Sequence, residues 1–283
     1  MALRSHDSTH ISFINSLSML SEFLYYYPPL IPGILLKRYQ RFFADIELAT
    51  GETITAHCPN TGPMTGVCTP GSLVQVSRND NPKRKLAYTW ETIQVNDTEP
   101  TWVGINTGLP NRVVKLALEK QLFPELAGCY SFIRSEVPYG KEKKSRIDFL
   151  LAGDDSQVPI YIEVKNTTLA QENVALFPDT VTTRGQKHLQ ELMALLPDAK
   201  PVMLYFINRG DCSVFAPADN CDRIYGNLLR EAVAKGVKVL PYRFDVCDRG
   251  IRYLGLADFL PTQPLPDLPA MSPRLTPAKE QNL

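Results

Sequence analysis

Between residues 31 and 107 the chain alternates apolar and polar positions with a period of two. The clearest stretch is 42–48, where Phe42, Ala44, Ile46 and Leu48 alternate with Phe43, Asp45 and Glu47. That is the pattern of a strand buried on one face. Thr50-Gly51 then supplies a tight turn back. Further strand-like runs lie at 34–36, 53–56, 73–76, 85–95 and 102–105, with turn residues between them. Five or six short strands punctuated in this way predict a small closed barrel, OB-like in type.

The periodicity changes across Gly108-Leu109-Pro110-Asn111. Residues 112–122 carry Val113, Leu116, Ala117 and Lys120 at helical spacing, with Asn111 placed as an N-cap. Strands are predicted at 130–137, 146–151 and 158–165. A helix follows over 184–196, with Leu189, Leu192, Met193 and Leu196 on one face. The continuous apolar run at 202–207 reads as a buried strand. A helix over 219–235, closed by Gly236, and a strand at 237–242 complete the series. The order α-β-β-β-α-β-α-β predicts a mixed α/β sheet flanked by helices. The chain thus divides into an OB-like barrel at 31–108 and an α/β domain at 109–260. Residues 1–30, where polar positions interrupt each apolar run, read as a loosely ordered extension. Residues 261–283, with six prolines beginning at Pro261, read as a disordered tail.

Composition narrows the possibilities further. A length of 283 residues suits two modest domains, and 44% hydrophobic residues are ample for their cores. No apolar run is long enough to predict a transmembrane helix. Thirty basic and thirty acidic residues give a formal net charge of zero. A uniformly cationic coat is excluded, but local basic clusters are not. The six cysteines include no CxxC pair, which points to a reducing compartment rather than a disulfide scaffold. His57, Cys58 and Cys68 do not have the spacing of a common zinc site. GxGxxG, Walker, GxSxG and HExxH motifs are absent.

One constellation carries chemistry. Arg146-Ile147-Asp148-Phe149 and Ile162-Glu163-Val164-Lys165 lie on two predicted strands joined by the polar turn at 153–157. In a symmetric hairpin centred on that turn, paired residue numbers sum to about 311, which sets Asp148 across from Glu163. Opposed Cβ atoms would be roughly 5 Å apart, so the two carboxylates repel unless a cation intervenes. Glu163 and Lys165 share a strand face, while Val164 points into the core. A hard divalent cation, Mg²⁺ or Mn²⁺, fits such a pair. Lys165 beside it would orient water or stabilise charge developing on phosphate. Lys141, Lys143, Lys144 and Arg146 precede the first acid, and Arg184, Gln186, Lys187 and His188 follow the second. Together they imply a polyanionic, phosphate-bearing substrate. Glu119, on the first helix, is a candidate further acid. The turn-rich loop at 58–71 offers Asn60 and Thr61 as donors to a phosphate or a base edge.

These residues resemble the core of the PD-(D/E)XK nuclease superfamily, with Asp148 followed by Glu163-Val164-Lys165. Ile147 stands where that motif has proline. More closely the chain resembles the sugar fermentation stimulation protein A family. The resemblance rests on Leu36-Lys37-Arg38-Tyr39, the run from His57 to Gly66, Asp80-Asn81-Pro82, Thr89-Trp90-Glu91, Ser145-Arg146-Ile147-Asp148-Phe149, and the run from Phe177-Pro178-Asp179 through Thr183-Arg184-Gly185-Gln186-Lys187-His188-Leu189. It implies an OB-like domain followed by a nuclease-like domain, DNA binding with little sequence preference, and a cytoplasmic location. By the same resemblance Asp148, Glu163 and the Val164 carbonyl would hold the metal, with Glu119 reaching it through water or holding a second ion. The family name implies regulation of sugar, notably maltose, metabolism. Binding of DNA without turnover is therefore the alternative reading, and an oligosaccharide-binding barrel a third.

Overall fold

The computed structural model describes residues 22–97, 99–140, 145–153 and 158–261. Residues 1–21 of the predicted loose extension, the lysines at Lys141, Lys143 and Lys144, and residues 262–283 of the Pro-rich tail lie outside the described residues.

The first domain is built from β2 (Leu30–Tyr39), β3 (Phe43–Leu48), β4 (Thr53–His57), β5 (Leu73–Arg78), β6 (Tyr88–Asn96) and β7 (Pro100–Gly104). They form a sheet in the order β4-β3-β2-β5-β6-β7. A parallel pairing of β4 with β6, Ala56 opposite Tyr88, closes β2 to β6 into a barrel. The alternation read at 42–48 places Ala44, Ile46 and Leu48 inside, with Leu35, Val74, Val76, Trp90 and Ile93. Gly51 turns β3 into β4 at a φ of 81°, in the left-handed region that glycine enters without strain.

The second domain contains α1 (Pro110–Glu119), β8 (Phe132–Tyr139), β9 (Ser145–Ala152), β10 (Ile160–Thr167), α2 (Thr183–Met193), β13 (Lys200–Ile207), α3 (Arg223–Lys235), β15 (Lys238–Val246) and β16 (Gly250–Leu256). Its seven-stranded sheet begins at a strand β1 (Phe23–Tyr26) and runs β1-β16-β15-β13-β10-β9-β8, with parallel pairs at the centre and antiparallel pairs toward both edges. The edge strand β1 corrects the reading of 1–30 as loose throughout, since it pairs with β16. Three aromatics in a row gave no alternation by which to find it. A small second sheet joins β11 (Leu169–Gln171), β12 (Val174–Phe177), β14 (Val214–Pro217) and β17 (Asp258–Phe259).

Strand β13 shows why this sheet is central. Val202, Leu204 and Phe206 face α1 in one core, and Met203, Tyr205 and Ile207 face α2 and α3 in the other. Both faces are buried, so the run is apolar throughout. Helix α2 starts at an N-cap Thr182 that accepts from the Gly185 amide, and α3 at Asp222, which accepts from Tyr225. Gly236 ends α3 in the left-handed conformation, as its position predicts.

The domains meet over a close backbone contact. Gly104 and Asn208 exchange main-chain and side-chain hydrogen bonds. Arg209, buried at the seam, pairs with Asp97 of the barrel and with Asp211. A Cβ on Gly104 would lie 2.2 Å from Asn208 Oδ1, so only glycine permits this approach.

Candidate active site

Strands β9 and β10 pair in the register that sums to 311: Ile160 with Leu151, Tyr161 with Leu150, and Ile162 with Phe149. The ladder stops there. At the next position the Asp148 carboxylate replaces the backbone, and its Oδ2 accepts from the Val164 amide at 2.7 Å. Strand β10 continues alongside β13 through Thr167, while β9 stays with β8. The sheet splits, and the split opens the cleft in which Asp148, Glu163, Val164 and Lys165 lie.

Asp148 Oδ1 accepts from Asn111 Nδ2 at 2.7 Å. Burial and the nearby Glu163 charge raise the Asp148 carboxyl to about 6, against the lowering effect of the Val164 and Asn111 hydrogen bonds. Glu163 is buried on the α2 face. Its Oε1 accepts from Lys165 Nζ at 2.6 Å and contacts His188 Nδ1. Burial pushes this carboxyl up, but the His188 hydrogen bond and the Lys165 charge outweigh it, and it is held below its ordinary value. Glu163 Oε2 is buried with no hydrogen-bond partner among the described residues. Val164 packs in the core, as its strand parity predicts.

His188 is a correction to the reading of a phosphate-facing side chain. It is buried, with Nδ1 also 3.0 Å from Lys165 Nζ and Nε2 3.4 Å from Arg184 Nε. Nδ1 thus meets both Glu163 Oε1 and Lys165 Nζ, while Nε2 faces Arg184 Nε. His188 therefore holds the Glu163–Lys165 pair in place. Gln186 is also corrected: its amide donates to Asp222, tying α2 to the start of α3 instead of facing the cleft. Glu119 is the third correction. It pairs with Lys115 at the exposed far end of α1, eight residues or about 12 Å along the helix axis from Asn111. The helix directs its first turn at the site, so Asn111 is the residue that arrives, as a ligand to Asp148 and not as an N-cap. The N-cap position is Leu109, and Pro110 opens the helix.

A chamber of about 640 Å³ beside Asp148 is lined by Arg146, Arg184, Lys187 and His188, with Glu136 and Ser145. Lys187 Nζ donates to Ser145 Oγ at 3.0 Å and lies 3.4 Å from Glu191. The predicted basic residues Arg146, Arg184 and Lys187 are thus brought together at the cleft. Glu136 was missed by sequence reasoning. It sits in β8 between Ser135 and Val137, which pair with Phe149 and Ile147, so Asp148 lies opposite it. Its φ of 56° is a left-handed conformation within a strand, of order 1–3 kcal/mol in cost. Neither Glu136 nor Asn111 belongs to a spacing motif that would have marked it.

Of the predicted donors of the barrel loop, Asn60 lies at the seam. Asn60 Oδ1 accepts from the Gly62 amide at 2.9 Å, and the Asn60 and Gly62 carbonyls accept from Arg38. Thr61 is exposed. Among the described residues no three His, Cys, Asp or Glu side chains cluster as a metal site, and no helix is long and apolar enough to cross a membrane.

Two family models match the chain. The SfsA N-terminal OB domain covers residues 36–105, and the sugar fermentation stimulation protein RE domain covers 108–250. A sugar fermentation stimulation protein homolog of Rippkaea orientalis is 69% identical over 242 residues, spanning 86% of this chain and 99% of the relative. One from Nostoc punctiforme is 69% identical over 238 residues, spanning 84% and 98%. Among solved structures, Pyrococcus furiosus SfsA in complex with Ca²⁺ is similar with a TM-score of 0.74 and 25% identity, over 85% of this chain and 100% of that one.

Proposed function

The chain belongs to the sugar fermentation stimulation protein family, and on that premise we propose that its second domain hydrolyses phosphodiester bonds in nucleic acid, DNA above all, with a divalent cation, Mg²⁺ or Mn²⁺. The observation that carries this reading is the pair of half-buried Asp148 and buried Glu163 beside Lys165, at the floor of a cleft rimmed by Arg146, Arg184 and Lys187. A protein that only binds a polyanion gains nothing from two carboxylates at the bottom of its binding cleft.

The donor set fits a hard cation. Two carboxylates and the Val164 carbonyl leave coordination positions to water and substrate phosphate, as Mg²⁺ prefers, and lack the nitrogen and sulfur donors of a zinc site. Glu163 Oε2 is a buried acceptor with no donor of its own. The relative from Pyrococcus furiosus was solved in complex with Ca²⁺, a cation of the same oxygen preference. When bound, the cation would neutralise the carboxylates and withdraw charge from the scissile phosphate. The chain's own groups do the rest. Asn111 and the Val164 amide fix the Asp148 carboxylate. His188 and Lys165 fix Glu163, and the Lys165 ammonium is the cation placed to orient a water and to stabilise charge developing on the phosphate. Arg146, Arg184 and Lys187 hold neighbouring phosphates.

Purified protein incubated with single- and double-stranded DNA, with Mg²⁺, Mn²⁺ or EDTA, tests the proposal. Cleavage that requires the metal and disappears in Glu163→Gln is the expected result. Binding without cleavage of DNA or RNA under every metal condition would overturn it and leave a regulatory DNA-binding protein.

A further inference from the structure

The cleft does not end at the carboxylates. Thr107 and Asn166 line both the Asp148–Lys165 cleft and a smaller recess of about 110 Å³, so the two are contiguous. The recess lies at the seam between the domains. Asn60 of the barrel loop and Thr107 of the linker form one side, and Asn166, Leu176, Phe177 and Asp179 of the second domain form the other.

Its chemistry is opposite to that of the cationic chamber. Arg146, Arg184 and Lys187 line the chamber on the far side of Asp148. Among the described residues no Lys or Arg lines the recess, while Asp179, whose carboxylate accepts from the Met64 and Thr65 amides, does. A phosphate there would meet a carboxylate, and the Arg38 guanidinium beside the recess is already engaged by the Asn60 and Gly62 carbonyls. An uncharged, flat, polar-edged group is what the walls suit. Leu176 and Phe177 contribute apolar lining, the Phe177 ring being backed by Tyr205 and Tyr225. Asn60 Oδ1 is engaged by the Gly62 amide, and Asn166 Oδ1 by Asn208 Nδ2 at 3.1 Å. Each therefore keeps its NH₂ as the remaining donor. Thr107 Oγ1 donates to the Pro59 carbonyl at 3.0 Å and keeps its lone pairs. Amide donors beside a hydroxyl acceptor over an apolar wall are the means by which proteins hold an extruded base by its edge and face.

We propose that this seam recess binds one unpaired nucleobase of the substrate, adjacent to the phosphate at Asp148 and Glu163, while the following phosphates lie in the cationic chamber. The inference rests on the nucleic-acid reading of the cleft. It makes the substrate a strand with at least one unstacked nucleotide: single-stranded DNA, an overhang or a flap. It also gives the barrel a share in the site through Asn60.

The test uses the full-length protein in EDTA, so that binding is read without cleavage. A 2-aminopurine base is moved position by position through a short single-stranded DNA. Emission should change on binding at one position and stay flat elsewhere. An abasic residue at that position should weaken binding roughly tenfold, the scale of one lost base contact. Thr107→Trp, a substitution at an exposed linker position that fills the recess, should lose the emission change. Asn60→Ala should diminish it. In both variants the thermal unfolding midpoint and the salt dependence of binding should stay near those of the wild type. If oligonucleotides bind but no position responds, or Thr107→Trp responds like the wild type, the recess assignment is wrong and the nucleic-acid reading stands. If no oligonucleotide binds, both fall. Displacement of a bound oligonucleotide by mono- or oligosaccharides, lost in Thr107→Trp, would overturn the base assignment in favour of a sugar.

Discussion

Replacing Asp148 by Asn should make the metal-free protein more stable at neutral pH while removing its activity. Asn keeps both hydrogen bonds: its oxygen still accepts from the Val164 amide, and Asn111 can turn its own amide to accept from the new NH₂. What disappears is a charge that burial and Glu163 both disfavour. A carboxyl raised from 3.8 to about 6 corresponds to roughly 3 kcal/mol of destabilisation once ionised. The sign follows from proton counting. Below pH 4 the group is protonated in the folded and unfolded chain alike, and the substitution changes little. Between about 4 and 6 the folded chain keeps a proton that the unfolded chain has lost, so wild-type stability falls as pH rises. Above 6 the full cost is present. Thermal or urea unfolding in EDTA at pH 4, 6 and 8 should show the advantage of Asp148→Asn growing from near zero to ~2–3 kcal/mol, about 3–5 °C in Tm for a chain of this size. Mg²⁺ should then raise the Tm of the wild type and leave that of the variant nearly unmoved. A variant no more stable than the wild type at pH 8, or an advantage independent of pH, would refute the electrostatic account of this cluster.

Glu163→Gln and Lys165→Ala should each abolish metal-dependent cleavage, with Mg²⁺ binding by calorimetry lost in the first and retained in the second; Glu119→Gln should leave the cleavage rate unchanged. Arg146→Ala, Arg184→Ala and Lys187→Ala should each lower the slope of log affinity against log salt by about 0.9 on duplex DNA, measured by fluorescence anisotropy. Gly104→Ala should lower stability by about 1–3 kcal/mol, because its Cβ would meet the buried Asn208 side chain 2.2 Å away; a circular-dichroism melt indistinguishable from wild type would contradict that packing.

The parts of the site that follow from local periodicity were legible in the sequence. Alternation fixes which way Glu163, Val164 and Lys165 point, and hairpin symmetry gives the register that opposes Asp148 to Glu163. The N-terminal barrel and the mixed sheet of the second domain follow from element order in the same way. What could not be read depends on contacts between distant segments. Helical spacing identifies the buried face of α1 but not which end overlies the split in the sheet, so the sequence offers Glu119 as a further acid and Asn111 only as a cap. Basic residues at 184–188 look alike in a list, yet 3.6-residue periodicity turns Arg184 and Lys187 toward the cleft, His188 under it and Gln186 toward α3. The left-handed Glu136 has no sequence signature, because such a conformation is imposed by its surroundings.

Strand β1 precedes the barrel in the chain, yet it hydrogen-bonds to β16 of the second domain. The barrel is therefore an insertion: the polypeptide leaves the large sheet after Tyr26, builds the barrel, and returns at Pro110. Two covalent strands, rather than one linker, hold the barrel against the cleft, which restricts the swing that single-linker domains undergo. The same topology governs how the protein can be divided. A fragment beginning at residue 108 lacks β1 and leaves β16 with a bare row of backbone donors and acceptors, an edge ready to pair with another chain. Excising residues 28–107 and bridging the gap would keep that edge covered, so the second domain is separable by deletion from the middle and not by truncation from the end.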